Sequence, residues 1–149
     1  LGQGTLLEPG CWITLAPDAT ISVGGGCFLN RGVMLAAHDR IEIGDHVMFA
    51  NNCFVGDASH RFDDPDLPIT WQGFESKGPV SIGSNCWFGV NCVVTSGVTI
   101  GDRCVIGANS VVTSDLPDGV IAAGSPAKVI REIEFRGAEG QGSGSQSQE

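Results

Sequence analysis

The sequence predicts an all-β fold, a parallel β prism of three sides, and three observations carry that expectation. From Ile82 onward every sixth residue is apolar: Ile82, Phe88, Val94, Ile100, Ile106 and Val112. Four places after each of these stands a mostly small residue: Cys86, Cys92, Val98, Cys104, Ser110 and Leu116. The same phase recurs upstream in Val23, Leu29 and Leu35, then, after a slip of two residues, in Ile43, Phe49 and Val55. A period of six fits neither a helix nor a two-residue strand alternation. It fits a triangular coil of three short strands, about 18 residues per turn, in which each unit forms one side.

Taken in order, the elements follow from that period. The apolar anchor fills the prism, and the fourth-place residue points inward near a corner, where only a small side chain fits. Glycine, frequent after the anchors (Gly83, Gly89, Gly101, Gly107), suits tight bends. Stacked coils about 4.8 Å apart satisfy one another's backbone groups as parallel strands, and the spacing predicts four to five coils. Weaker units are expected to begin at Cys11 and Pro17. Residues 61–79 interrupt the repeat with prolines and acids, and a loop of that length inside a compact domain is functional or disordered. Pro126 is expected to open a short helix over about 126–135 that carries Lys128 and Arg131. The domain thus runs over 1–136, and 137–149, rich in Gly, Ser and Gln, reads as a flexible tail.

Composition narrows the function. A net charge of −9 argues against a general nucleic-acid or anionic-membrane binder, because phosphate contacts need a basic face. No run of about 18 apolar residues is present to span a bilayer. Five of the six cysteines (Cys27, Cys53, Cys86, Cys92, Cys104) hold fourth-place positions and no CxxC pair occurs. They read as small buried apolar residues, which points to a reducing, cytoplasmic setting.

Three strings carry a resemblance: IEIGDHVMFANNCFVGDASH, then PVSIGSNCWFGVNCVVTSGVTIGDRCVIGANSVVTSDLP, then AAGSPAKVIREI. Together they resemble the hexapeptide-repeat acyltransferases, most nearly the maltose and galactoside acetyltransferase branch, over residues 23–133 or so. The resemblance implies a left-handed β-helix and a homotrimer with active sites between neighbouring prisms. It implies acetyl-CoA as acyl donor, a small and preferably carbohydrate acceptor, and no metal. It places the catalytic histidine at His60 and acceptor contacts at Asn30 and His38. It places coenzyme A contacts at Trp87, Ala108, Thr113, Ser114, Lys128 and Arg131. The branch has a basic residue where this chain has Ser114, so phosphate binding leans on Lys128 and Arg131. It has an acidic acceptor ligand where this chain has His38, beside Asp39, which tells against galactoside specificity.

The residues themselves allow that chemistry. Acyl transfer to a hydroxyl or amine needs a base, and histidine ordinarily titrates near working pH. Backbone N–H groups at coil corners are candidates to steady the oxyanion. Each residue also has a plainer reading. Asn30 suits a left-handed turn as well as an acceptor, and His38 a solvated corner. Trp87 could cap the prism, and His46 sits in an ordinary IGDHV corner. Lys128 and Arg131 could be a solvated face, though a polyanionic cofactor on an acidic protein needs local positive charge. N-acylation of an amino sugar or xenobiotic is the alternative reaction. A carbonic anhydrase of the gamma type would need convergent histidines, and a non-catalytic prism subunit would need none.

Overall fold

In the computed structural model, which describes residues 1–137, the chain winds as a parallel β-helix of triangular section. Face 1 stacks Leu6–Leu7, Phe28–Leu29, Met48–Phe49, Trp87–Phe88, Val105–Ile106 and Val120–Gly124. Face 2 stacks Trp12–Leu15, Met34–Ala37, Phe54–Gly56, Val93–Val94 and Val111–Val112, and face 3 stacks Thr20–Val23, Arg40–Ile43, Val80–Ile82 and Thr99–Ile100. Leu116 continues face 3 by a parallel bridge to Ile100, so the path makes five coils and the first side of a sixth.

The six-residue anchors lie in vertical register because each strand pairs in parallel with its equivalent one coil away. On face 3, Ile43, Ile82 and Ile100 are directly opposed, and on face 1 Phe49 stacks on Phe88 with ring centroids 4.6 Å apart. Leu29, Leu35, Phe49, Val55, Phe88 and Val112 are wholly buried. The first coil is the exception: Leu7, Ile13 and Leu15 occupy anchor positions yet remain exposed, since no coil lies beneath them.

Anchors at Leu7 and Ile13 correct the expected units at Cys11 and Pro17. Cys11 stacks at the Val33 level as a fourth-place residue, with Trp12 N–H donating to the Val33 carbonyl. All six cysteines therefore share one position, and each thiol donates to a carbonyl of the next coil. Cys11 reaches Asn30, Cys27 reaches Gly44, Cys53 reaches Gly89, Cys86 reaches Gly101, Cys92 reaches Gly107 and Cys104 reaches Pro117, at 3.1–3.2 Å. The thiol is a weak donor, but it is small enough for the corner and answers a carbonyl that the bend turns inward. Burial pushes the Cys86 thiol up to about 12. Its hydrogen bond with Cys92, then burial, raises the Cys53 thiol.

Tight bends fall one place before the fourth-place residues. His46, Asn52, Asn85, Asn91, Arg103 and Asn109 all have φ between 56° and 61°, the left-handed region that asparagine tolerates best. Glycine after the anchor has another cause. A Cβ on Gly83 would come within 2.7 Å of the Asp102 backbone N, so close stacking of coils, and not a left-handed bend, selects it.

The expected helix over 126–135 is absent. Ala127–Glu132 instead forms a strand antiparallel to Val120–Gly124, after a turn at Ser125 and Pro126. The last coil exposes a strand edge with unpaired backbone groups, and the returning chain satisfies them. Val129 and Ile130, both β-branched, favour that outcome over a helix. The flexible-tail reading of 137–149 lies outside the described residues apart from Gly137.

Candidate active site

The irregular part of the prism is the edge between faces 2 and 3 in the first three coils. In the second coil, strands Met34–Ala37 and Arg40–Ile43 each bury two residues, Leu35 with Ala37 and Ile41 with Ile43. That extra pair accounts for the two-residue slip in the sequence, and it widens the corner His38–Asp39–Arg40. Asp57, wholly buried at the end of a face 2 strand, holds this corner. Its carboxylate accepts the backbone N–H groups of His38 at 2.6 Å, Asp39 at 2.8 Å and Arg40 at 2.6 Å. Sequence reasoning missed Asp57. The signal was there: an ionisable residue two places after the anchor Val55, where the other units bend with Asp45 or Asn51 on the surface.

The long insertion begins one coil above. It is an ordered hairpin, with Ser59–His60 antiparallel to Phe74–Glu75 and His60 opposite Phe74. Gln72 locks its tip, accepting from Asp64 N–H at 2.9 Å and donating to the Asp64 and Leu67 carbonyls. Ser76 anchors its return by donating to the Asp57 carbonyl. The hairpin lays Phe74 between two imidazoles, its ring centroid 4.5 Å from His60 and 5.1 Å from His38. Both histidines are exposed. Beside them a groove of about 380 Å³ is lined by Thr14–Pro17, Ala36–His38, Ala58 and Phe74.

His38 and His60 are thus brought together. Thr113 and Ser114 lie exposed on the same edge, in the fifth coil. The remaining candidates lie elsewhere. Ala108 sits on the edge between faces 1 and 2, and Trp87 projects from the middle of face 1, between Met48 and Val105, so it does not cap the prism. Lys128 and Arg131 lie on the terminal strand, opposite Ala123 and Ile121. Three residues apart in a plain strand, they would face opposite ways; the bulge there puts both on the outer side of face 1.

Asn30 is on the edge between faces 1 and 2, away from His60. Its φ is not left-handed, which removes the turn reading, and its side-chain oxygen accepts the Arg31 N–H at 2.8 Å. His46, by contrast, is a left-handed corner residue packed against Gly26 on the edge between faces 3 and 1. The three histidines therefore do not converge.

Comparison with known proteins agrees with the fold. Residues 79–114 match the hexapeptide repeat of succinyl-transferase. A crystal structure of a hexapeptide-repeat acetyltransferase from Vibrio cholerae, complexed with acetyl coenzyme A, superposes with a TM-score of 0.77 at 32% identity, covering 91% of this chain and 71% of that one. The chain belongs to the hexapeptide-repeat acetyltransferase family. Its prism is accordingly the left-handed β-helix. It is 35% identical to the galactoside O-acetyltransferase of Escherichia coli over 91% of this chain and 64% of that one. It is 38% identical to a probable acetyltransferase of Mycobacterium tuberculosis over 84% of this chain and 44% of the relative. The chain thus spans less than two thirds of the length of either of these relatives.

Proposed function

We propose that this chain transfers an acetyl group from acetyl-CoA to a hydroxyl of a small acceptor, a sugar in the first instance, with His60 as general base. The observation that carries the reading is His60 itself, exposed at the root of an ordered hairpin and facing the same ring as His38. A neutral imidazole there can take the acceptor's proton as the oxygen attacks the thioester carbonyl. The proton then passes to the departing thiolate of coenzyme A, so the step balances without a covalent enzyme intermediate. The thiols of the chain do not compete as nucleophiles, because five of the six are buried at prism corners.

Coenzyme A would lie along the upper coils, with its phosphates at Lys128 and Arg131 and contacts at Trp87, Ala108, Thr113 and Ser114. Trp87, Ala108, Lys128 and Arg131, with Asn30, lie on other faces or edges than His60, while Thr113 and Ser114 lie two coils above it on its own edge. One complete site therefore needs the edge of one prism against the face of another, and this supports a homotrimer. The outer rows agree. Face 1 presents Phe28, Met48, Trp87, Val105 and Ile121, with Met48 and Trp87 about half exposed, whereas face 3 presents Ser22, Glu42, Ser81 and Thr99. An apolar row of that length marks a contact surface. Six free thiols fit a reducing, cytoplasmic setting.

The test is a thiol-release assay with acetyl-CoA against hydroxyl and amine acceptors, run on the wild type and on His60→Ala with the oligomeric mass measured alongside. Turnover in the variant above about a tenth of wild type would place the base elsewhere.

A further inference from the structure

We propose that Phe135 and Arg103 form a clamp that holds Arg131 in place for the phosphates of coenzyme A. Both act through Arg131 and are positioning residues, not contacts of the cofactor. The inference rests on the acetyl-CoA reading above and deepens it by naming what aims one of its cations.

The terminal strand needs such a hold. It is paired on one side only, to Val120–Gly124, and the bulge between Ile121 and Ala122 turns Lys128 and Arg131 the same way. A slip of register would undo that arrangement. Lys128 lies near the start of the strand, where Ala127 is buried and fixes the chain. Arg131 lies toward the other end, where every residue from Lys128 to Glu132 is exposed and none is anchored by burial. Beyond Glu132 the chain crosses the edge between faces 3 and 1 over a hollow of about 500 Å³. Few contacts hold it there. The Ile133 N–H donates to the Gly119 carbonyl at 2.7 Å. Phe135 lies over Gly119, whose Cβ, were it present, would stand 3.5 Å from the ring. The Arg103 guanidinium lies 5.9 Å from the centroid of that ring.

The identity of Arg103 is a second, independent observation. It occupies a left-handed corner, with φ of 56°, directly above the corner where the coil below uses Asn85. Arginine tolerates that conformation less well than asparagine, so the bend does not select it. Charge pairing does not select it either. Asp102, Asp118 and Glu132 line the hollow, yet Arg103 forms no ion pair among the described residues. Asp102 and Asp118 are engaged in coil stacking, accepting the Ser84 and Asp102 N–H groups at 2.7 Å. The guanidinium instead meets the Phe135 ring, a cation–π contact that closes the strap.

The experiment measures binding of coenzyme A, and of pantetheine, which lacks the phosphates, by calorimetry on the full chain. Oligomeric mass and a melting curve are recorded alongside. Phe135→Ala should weaken coenzyme A about two- to fivefold and leave pantetheine unchanged. It removes no charge, yet it should flatten the salt dependence of coenzyme A binding. Arg103→Asn suits the corner better, so it should melt no lower than wild type and still weaken coenzyme A. It should add nothing to Phe135→Ala, and Phe135→Tyr should bind as wild type does. A double-mutant cycle decides the matter. Phe135→Ala should have no further effect on an Arg131→Ala background and its full effect on a Lys128→Ala background. Additive losses at Arg131 remove the clamp and leave the phosphate reading standing. Unchanged coenzyme A affinity in Arg131→Ala removes that reading and the clamp with it. Equal losses for coenzyme A and pantetheine, or wild-type affinity in Arg103→Asn, overturn the inference.

Discussion

One edge of the prism is built in two ways. In the fourth coil the edge between faces 2 and 3 keeps the six-residue step, Val94 to Ile100, with Gly97 left-handed at its corner, and in the fifth it shortens to four, Val112 to the Leu116 bridge. In the first three coils the same edge carries extra residues: longer strands, a corner held by Asp57, then the hairpin over 61–79. Regular coils close mostly with backbone hydrogen bonds, Asp115 accepting the Thr99 N–H at 2.7 Å on this edge, and carry no histidine there. Irregular coils must bring in side chains to satisfy their corners, and those side chains make a groove and carry two exposed imidazoles. In this molecule the place where the repeat fails is the place where chemistry is available.

The regular half should fail as a whole when its interior is charged. Ile100→Asp places an unpaired carboxylate between Ile82 and Leu116. It should cost more than about 4 kcal/mol and abolish a cooperative melt in calorimetry. In the irregular half the largest loss should be kinetic. His60→Ala should keep its fold and acetyl-CoA binding, while kcat falls by about 10²–10⁴-fold, roughly 3–5 kcal/mol in the barrier. Steady-state kinetics with a melting curve separates the two outcomes. A stability loss as large as the kinetic one would mean that the two halves differ less than their geometry says.

Asp57→Ala tests the corner itself. Three backbone N–H groups lose their acceptor, so stability should fall by about 2–4 kcal/mol in a urea titration, with Asp57→Asn costing less because one oxygen remains. Lys128→Ala with Arg131→Ala should raise the KM for acetyl-CoA by about tenfold and weaken its salt dependence, leaving kcat nearly intact. The smallest effect belongs to pH. Cys86 is held near 12 against an ordinary 9.0, so its neutral thiol is favoured by the fold. That stabilisation is complete below pH 9 and is lost as pH rises toward 12, because the unfolded chain ionises first. Urea midpoints should fall between pH 9 and 11, and Cys86→Ala should flatten the decline.

Much of this was legible from spacing, because a prism repeats one packing problem and the answer recurs every six residues. The anchors, the inward cysteines and the breaks in the repeat needed nothing more. The terminal strand was misread because Pro126, Lys128 and Arg131 satisfy local rules for a helix, while the edge that recruits them is made by residues 120–124. The first-coil units were misread because anchors that lie at the open end of a stack are not constrained by a neighbour below.

By itself the sequence determined the prism, its three-sided coil and the histidine that closes the last coil before the hairpin. These follow from short-range periodicity and from motif strings. Only the tertiary structure decided that Asp57 holds the corner of His38, that Phe74 lies between the two histidines, and that a bulge turns Lys128 and Arg131 the same way. Each of those joins segments from different coils or from a chain reversal, and contacts of that kind are set by how coils stack in space, which no local pattern of residues records.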